Sequence, residues 1–176
     1  MRKLTMEELD RKSVDEFKEA GKLPLVVVLD NVRSMHNVGS VFRTADAFLI
    51  ERMLLCGYTP QPPHRDIHKT ALGATETVSW QYFASTEEAV QALKQEGYTV
   101  VAIEQTTNST SLPAFTWNAQ QPLAVVLGNE VDGVSDEVLP LCDGSIEIPQ
   151  LGMKHSLNIS VAAGIVLYKL AETCLK

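Results

Sequence analysis

The feature that most constrains the fold is a set of short apolar runs separated by segments with helical spacing. The clearest run is LPLVVVLD at 23–30, which is apolar on consecutive residues and not on every second one. Such a run is typical of a strand buried on both faces, as strands of a parallel sheet are. The predicted strands are 23–30, 52–57, 76–83, 98–105, 123–128 and 145–149, and the predicted helices are 38–49, 86–95, 135–142 and 156–173. This alternation predicts an α/β fold with a mostly parallel sheet and helices on both faces.

The first 22 residues differ from the rest of the chain, because they are polar and helix-prone. Thr5 and Glu8 have the spacing of a capping box, and Gly21 and Pro24 are expected to end the helical segment. We therefore expect an N-terminal helical extension over 1–22. The remaining residues, 23–176, have the length of one ordinary domain.

Composition restricts the classes of protein to which the chain can belong. The formal net charge of −7 argues against a nucleic-acid-binding protein, because phosphate contacts need Lys and Arg. The three cysteines are far apart and none lies in a CxxC pair, which argues against a disulfide framework or a zinc site. No apolar run approaches the ~20 residues that span a bilayer, and the first residues lack the apolar core of a signal peptide. We expect a cytoplasmic protein that binds neither membrane nor metal.

Three loops that follow predicted strands have unusual sequences, and ligands in open parallel sheets bind beyond the carboxyl ends of strands. The first loop, 31–40, leads into a helix that carries Arg43. Asn37 is the predicted N-cap of this helix, and Gly39 allows a close backbone approach in its first turn. The guanidinium of Arg43 could reach back to an anion held at the helix N-terminus. A capped helix with a solvated arginine is an equally good interpretation of this pattern alone.

The second loop, 127–135, has two glycines around an Asn-Glu pair, and a plain turn capped by Ser135 explains it equally well. The chain has neither GxGxxG nor a Walker-type phosphate loop, which disfavours dinucleotide and nucleoside triphosphate sites. The third loop, 148–160, leads into a long helix rich in small apolar residues, with Ser156 as its predicted cap. Asn158 is predicted in the first turn, where a polar side chain needs a hydrogen-bonding partner.

Together the three loops resemble the motifs of the SpoU (TrmH) family of RNA ribose 2′-O-methyltransferases, of the SPOUT class. The residues that carry the resemblance are Asn37, Gly39, Arg43 and Ala45 in the first motif, Leu127-Gly128-Asn129-Glu130 with Gly133 and Ser135 in the second, and Ile148-Pro149 with Ser156-Leu157-Asn158 in the third. The segment HKTALGA at 68–74 resembles the lysine-containing segment of the family. The resemblance covers residues 23–173.

The resemblance implies an S-adenosylmethionine-dependent enzyme that methylates a ribose 2′-hydroxyl of tRNA or rRNA. It also implies a C-terminal deep trefoil knot and a homodimer, with the helix 156–173 suited to the interface. The implied catalytic residues are Arg43, Asn37, Glu130, Ser156 and Asn158. The implied cofactor-binding residues are Leu127, Gly128, Asn129, Ile148, Met153, Ser156 and Leu157. The candidate RNA-binding residues are Arg33, Arg65, Lys69 and Lys154, since a local positive patch suffices in an acidic protein.

Two other functions remain open at this point. A catalytically inactive RNA-binding module could keep the fold and the cofactor site, although Asn37, Arg43, Glu130 and Asn158 are all present. An S-adenosylmethionine-dependent enzyme acting on a small molecule would fit the acidic composition. The sequence does not identify the RNA or the nucleotide.

Overall fold

The computed structural model describes residues 1–5, 7–9, 11–154 and 156–174 and has a single parallel sheet. The strands within these residues are β1 (Leu23–Asp30), β2 (Ile50–Cys56), β3 (Ser79–Phe83), β4 (Thr99–Ile103), β5 (Thr110–Ser111), β6 (Leu123–Leu127) and β7 (Gly144–Glu147). Their order across the sheet is β3-β2-β1-β6-β4-β7-β5, and every pairing is parallel. The prediction of an α/β fold with a mostly parallel sheet is confirmed.

The order of the central strands differs from that of a sheet to which each new strand is added at an outer edge. β6 lies between β1 and β4, although it follows both in the sequence. In register, Val27 of β1 lies beside Val125 of β6, and Val101 of β4 flanks Val125 on the other side. The chain after β4 therefore returns to the middle of the sheet. The trefoil knot itself stays a prediction.

Helices lie on both faces of the sheet, as predicted. The α-helices of the described residues are α1 (Val14–Glu19), α2 (Met35–Ala47), α3 (Arg65–Ala71), α4 (Ala74–Thr77), α5 (Thr86–Gln95) and α6 (Ile159–Ala171). One buried apolar cluster joins β1, β2 and β6 to α2, α3 and α6, and a second joins the opposite face of the sheet to α5. No helix in the described part of the chain is long and apolar enough to cross a membrane.

Some helix predictions were wrong in extent. The segment 135–142 contains only the 3₁₀ turn Leu139–Leu141, because Pro140 lacks the amide that a longer helix would need. The short helices α3 and α4 and the two-residue strand β5 were not predicted. By contrast, α5 has the predicted bounds, with the Ser85 side chain accepting a hydrogen bond from the Glu88 amide as its N-cap.

The N-terminal segment contains two short helical elements, the 3₁₀ turn Glu7–Leu9 and α1. The reciprocal hydrogen bonds between Thr5 and Glu8 confirm the predicted capping box. Phe17 of α1 is buried in the same apolar cluster as α2 and α6, which ties the segment to the sheet. The division into 1–22 and 23–176 stays a prediction, and residues 175–176 lie outside the described part.

Candidate active site

A cleft of about 520 Å³ opens at the carboxyl ends of β4, β6 and β7. Its apolar wall includes Ile103 at the end of β4, Leu127 at the end of β6 and Ile148 after β7. The loop 128–133 and the start of α6 complete it. Of the residues predicted for cofactor binding, those that line the cleft are Leu127, Gly128, Asn129, Ile148, Ser156 and Leu157. Met153 is 82% exposed and does not line it.

The loop after β6 is closed by its own backbone. The amide of Asn129 donates to the carbonyl of Gly133 at 2.9 Å, and the amide of Gly133 donates back at 3.2 Å. A Cβ on Gly128 would lie only 1.9 Å from the carbonyl carbon of Gly133, so only glycine permits this closure. Gly128 thus has a structural explanation that does not require a ligand.

A chain of side-chain hydrogen bonds joins the three predicted loops at the edge of the cleft. Asn158 Nδ2 donates to Asn37 Oδ1 at 3.2 Å, and Asn37 Nδ2 donates to Glu130 Oε1 at 2.8 Å. The carboxylate of Glu130 also accepts the backbone amides of Arg33 and Ser34, at 3.0 and 3.1 Å. We call Asn37, Glu130 and Asn158 the asparagine–glutamate network. It holds the N-terminus of α2, the loop after β6 and the N-terminus of α6 in one arrangement.

Both helix N-caps next to this network differ from those predicted. Ser34, and not Asn37, caps α2, because its Oγ accepts the Asn37 amide at 3.2 Å. Asn158, and not Ser156, caps α6, because the helix begins three residues later and Asn158 Oδ1 accepts the Ser160 amide. The first change frees the Asn37 side chain for the network. The second gives Asn158 both a capping and a connecting role.

The charge of Glu130 is favoured by its hydrogen bonds. Partial burial of the carboxyl raises its pKa, but the bonds from the Arg33 amide and from Asn37 lower it, and the net pKa lies below its ordinary value. Glu130 therefore remains ionised near neutral pH. Its charge lies at the N-terminus of α2, where the helix dipole also favours an anion.

The cleft is strongly acidic. Its lining includes the carboxylates of Glu104, Glu130, Asp132 and Glu147, and no Lys or Arg among the described residues. A cationic ligand is therefore favoured over an anionic one in this cleft. In the described part of the chain, no cluster of three or more His, Cys, Asp and Glu side chains could hold a metal ion.

Arg43 is apart from the other four predicted catalytic residues. It is exposed on α2, does not line the cleft, and makes no hydrogen bond or ion pair with the described residues. It follows Asn37 by six residues, a rise of about 9 Å along the helix and a different face. The cleft of this chain therefore combines Glu130, Ser156 and Asn158 with the adjacent Asn37, but not Arg43.

The four candidate RNA-binding residues lie outside the cleft. The guanidinium of Arg33 is 5.9 Å from the ring centre of Tyr58. Arg65 and Lys69 lie on α3, where Lys69 pairs with Asp66 at 2.6 Å. Lys154 is exposed in the third loop, next to His155, which is outside the described residues.

Two acidic residues that support the site are not among the residues predicted from the sequence. Asp30 is fully buried at the end of β1, where Oδ2 accepts the amide and hydroxyl of Ser135 and Oδ1 accepts the hydroxyl of Thr86. Glu104 accepts the Val134 amide beneath Gly133. Both follow apolar strand residues directly, and an acid at the end of a buried strand was the available signal.

Comparison with known proteins gives a consistent result. Residues 24–168 match the model of the SpoU rRNA Methylase family. A tRNA (guanosine(18)-2′-O)-methyltransferase of Thermus thermophilus is 34% identical over 169 residues, which cover 96% of this chain and 85% of the relative. The structure of a TrmH/SpoU tRNA modifying enzyme of Aquifex aeolicus matches with a TM-score of 0.80 at 28% identity, over 90% of this chain and 79% of that one. An AdoMet-bound rRNA methyltransferase of Sinorhizobium meliloti matches with a TM-score of 0.79 at 28% identity, over 94% and 62%.

Proposed function

The chain belongs to the SpoU rRNA Methylase family, and on this premise we propose that it transfers a methyl group from S-adenosylmethionine to a ribose 2′-hydroxyl of tRNA or rRNA. The observation that carries the proposal is the cleft whose edge is formed by the asparagine–glutamate network of all three motifs. The Thermus relative is named a tRNA 2′-O-methyltransferase and the Sinorhizobium structure an rRNA methyltransferase.

The cleft fits S-adenosylmethionine in size and in charge. Its volume of about 520 Å³ lies within the range of small-molecule sites. The four carboxylates suit a ligand that carries a sulfonium and an ammonium group, and the apolar strand ends suit an adenine ring. When bound, the cofactor supplies a methyl group on a positively charged sulfur. The residues proposed to hold it are Leu127, Gly128, Asn129, Ile148, Ser156 and Leu157, and Met153 would contribute only if its exposed segment moved onto the ligand.

The proposed role of Arg43 is to bind the phosphate beside the target ribose and to stabilise the developing alkoxide. A guanidinium keeps its proton in proteins and is a poor base at neutral pH, so the proton leaves through water or through that phosphate. The asparagine–glutamate network orients the loops around the reacting atoms. Arg43 is exposed and has no side-chain partner among the described residues, which suits a residue that meets its target only in the RNA complex.

We propose a homodimer in which Arg43 of one subunit serves the cleft of the other. One face of α6 supports this proposal, because Val161, Ile165 and Tyr168 are 50%, 39% and 54% exposed at helical spacing. Nothing lies within 4 Å of a Cβ built on Gly164 between them, so a partner helix could approach closely. Apolar patches of this kind are typical of interfaces. We also propose a cytoplasmic location, since tRNA and rRNA are the proposed substrates.

The test is methyl transfer from labelled S-adenosylmethionine to unfractionated tRNA and rRNA, compared between the wild type and Arg43→Ala. We expect the variant to lose transfer while its cofactor affinity by calorimetry stays within about twofold. Cofactor and RNA binding without transfer by the wild type would favour the inactive RNA-binding module. Transfer only to a metabolite extract would favour an enzyme of small molecules.

A further inference from the structure

A second groove, of about 640 Å³, lies apart from the cofactor cleft and shares none of its lining residues. It runs between α3 and the edge strand β3. Its apolar lining consists of Pro62, Pro63 and Trp80, together with Ile67, whose side chain is fully buried. The proposed methyl transfer does not use this groove.

Trp80 is the largest side chain of the groove. It is half-buried, pairs in register with Met53 of β2, and packs against the main apolar cluster. Its indole is therefore held by the sheet while part of it remains accessible from the groove. A fixed, partly exposed aromatic ring is a suitable stacking surface for a nucleobase, since little conformational freedom is lost on binding.

The polar side of the groove has two cationic side chains and two imidazoles. Arg65, Lys69, His64 and His68 line it, against one acid, Glu76. The pair between Lys69 and Asp66 is solvent-exposed, and such pairs contribute little to stability, so a phosphate can compete for the ammonium. Nδ1 of His64 accepts the Asp66 amide at 3.1 Å, which leaves Nε2 as the donor of the neutral ring.

The groove is connected rigidly to the first motif. Thr70 of α3 donates to the carbonyl of His36 at 2.9 Å, in the first turn of α2. A Cβ on Gly39 would lie 2.3 Å from the carbonyl oxygen of Ile67, so the two helices are in direct backbone contact. The helix that presents Arg65 and Lys69 is therefore fixed against the helix that carries Asn37 and Arg43.

We propose that this groove binds an unpaired nucleotide of the substrate RNA, separate from the nucleotide that is methylated. The base stacks on Trp80, and the adjoining phosphate contacts Arg65 and Lys69. The groove thus selects RNA in which an unpaired base lies at a fixed position from the target ribose. This inference depends on the proposed function, because it requires that the substrate is RNA.

The chain has only two tryptophans, which makes the contact directly observable. In Trp117→Phe the remaining indole emission comes from Trp80, whereas in Trp80→Phe it comes from Trp117, whose Nε1 donates to the Gln121 carbonyl outside the groove. Unfractionated tRNA is titrated into each full-length variant, with RNA binding measured independently by filter retention. We expect saturable quenching in Trp117→Phe and none in Trp80→Phe. Binding of tRNA without quenching of Trp80, or equal quenching in both variants, would overturn the proposal.

Trp80→Leu tests the energetic contribution of the contact. One stacked base contributes about 1–3 kcal/mol, so the affinity for tRNA should fall about 5- to 150-fold, while Trp80→Phe should retain most of it. The affinity for S-adenosylmethionine should not change, because Trp80 does not line the cleft. Equal quenching of Trp80 by cytidine monophosphate at matched nucleotide concentration would replace the RNA proposal by a site for free nucleotides. Failure of the wild type to methylate RNA, by contrast, would contradict the proposed function itself.

Discussion

Replacement of Glu130 by alanine tests whether the asparagine–glutamate network holds the three loops together. The carboxylate accepts hydrogen bonds from the Arg33 amide at 3.0 Å, the Ser34 amide at 3.1 Å and Asn37 Nδ2 at 2.8 Å. Hydrogen bonds to a charged group are worth about 1.5–3 kcal/mol each when buried. Glu130 is solvent-exposed, so water replaces part of this contribution, and we expect a total loss of about 2 kcal/mol.

The assay is urea unfolding followed by circular dichroism. For an m-value of about 2 kcal/mol/M, the loss lowers the midpoint by about 1 M. The matched control is Glu137→Ala, since Glu137 is exposed and has no hydrogen bond or ion pair with the described residues. This control should change the free energy of unfolding by less than about 0.5 kcal/mol. Equal midpoints for the two variants would refute a connecting role for Glu130.

The same residue predicts a dependence on pH. Because the pKa of Glu130 is lower in the folded protein, its ionised form contributes stability that is fully present above the unfolded-state pKa of about 4.3. The contribution is lost as the pH falls through the folded-state pKa. The difference in unfolding free energy between the wild type and Glu130→Gln should therefore be constant at neutral pH and shrink in acid. A difference that grows in acid would contradict the assigned hydrogen bonds.

Three further substitutions follow from the geometry. Asp30→Ala removes a fully buried carboxyl group that accepts two hydrogen bonds from Ser135, and should lower the free energy of unfolding by about 1–3 kcal/mol in denaturant titration; an unchanged midpoint would argue against that burial. Gly128→Ala places a Cβ 1.9 Å from the carbonyl carbon of Gly133 and should weaken S-adenosylmethionine binding at least tenfold by calorimetry. The control Gly152→Ala has open space around its Cβ and should leave the affinity unchanged. Val161→Asp on the exposed face of α6 should give a monomer in light scattering and lose methyl transfer; an active monomer would contradict the shared active site.

The strands could be predicted from the sequence because a strand buried on both faces is a continuous run of apolar residues. LPLVVVLD needs no knowledge of its neighbours to be recognised as a buried strand, and Leu23–Asp30 has the predicted bounds. The helix 86–95 was equally local, since Ser85 and the apolar spacing lie within one segment. Short helices such as α3 and α4 have too few residues for a helical spacing of apolar residues to be recognised.

The connections within the site could not be predicted from spacing. The bond between Asn37 and Glu130 joins residues 93 positions apart, and that between Asn158 and Asn37 joins residues 121 apart. The local sequence alone predicts Asn37 as the cap of α2, a role that Ser34 has in the structure. The position of Arg43 away from the cleft is a second consequence of tertiary structure, because its helix turns it to another face. The resemblance to a family identified the residues, and the structure identified which of them are in contact.

The most direct test of the proposed reaction is the identity of the methylated atom. The purified protein is incubated with S-adenosylmethionine and with tRNA and rRNA that lack its modification, and the RNA is digested to nucleosides and analysed by mass spectrometry. We expect a new nucleoside whose methyl group is on the ribose 2′-oxygen, formed by the wild type and absent with Arg43→Ala. Methylation on the base, or no methylated nucleoside in either RNA, would contradict it.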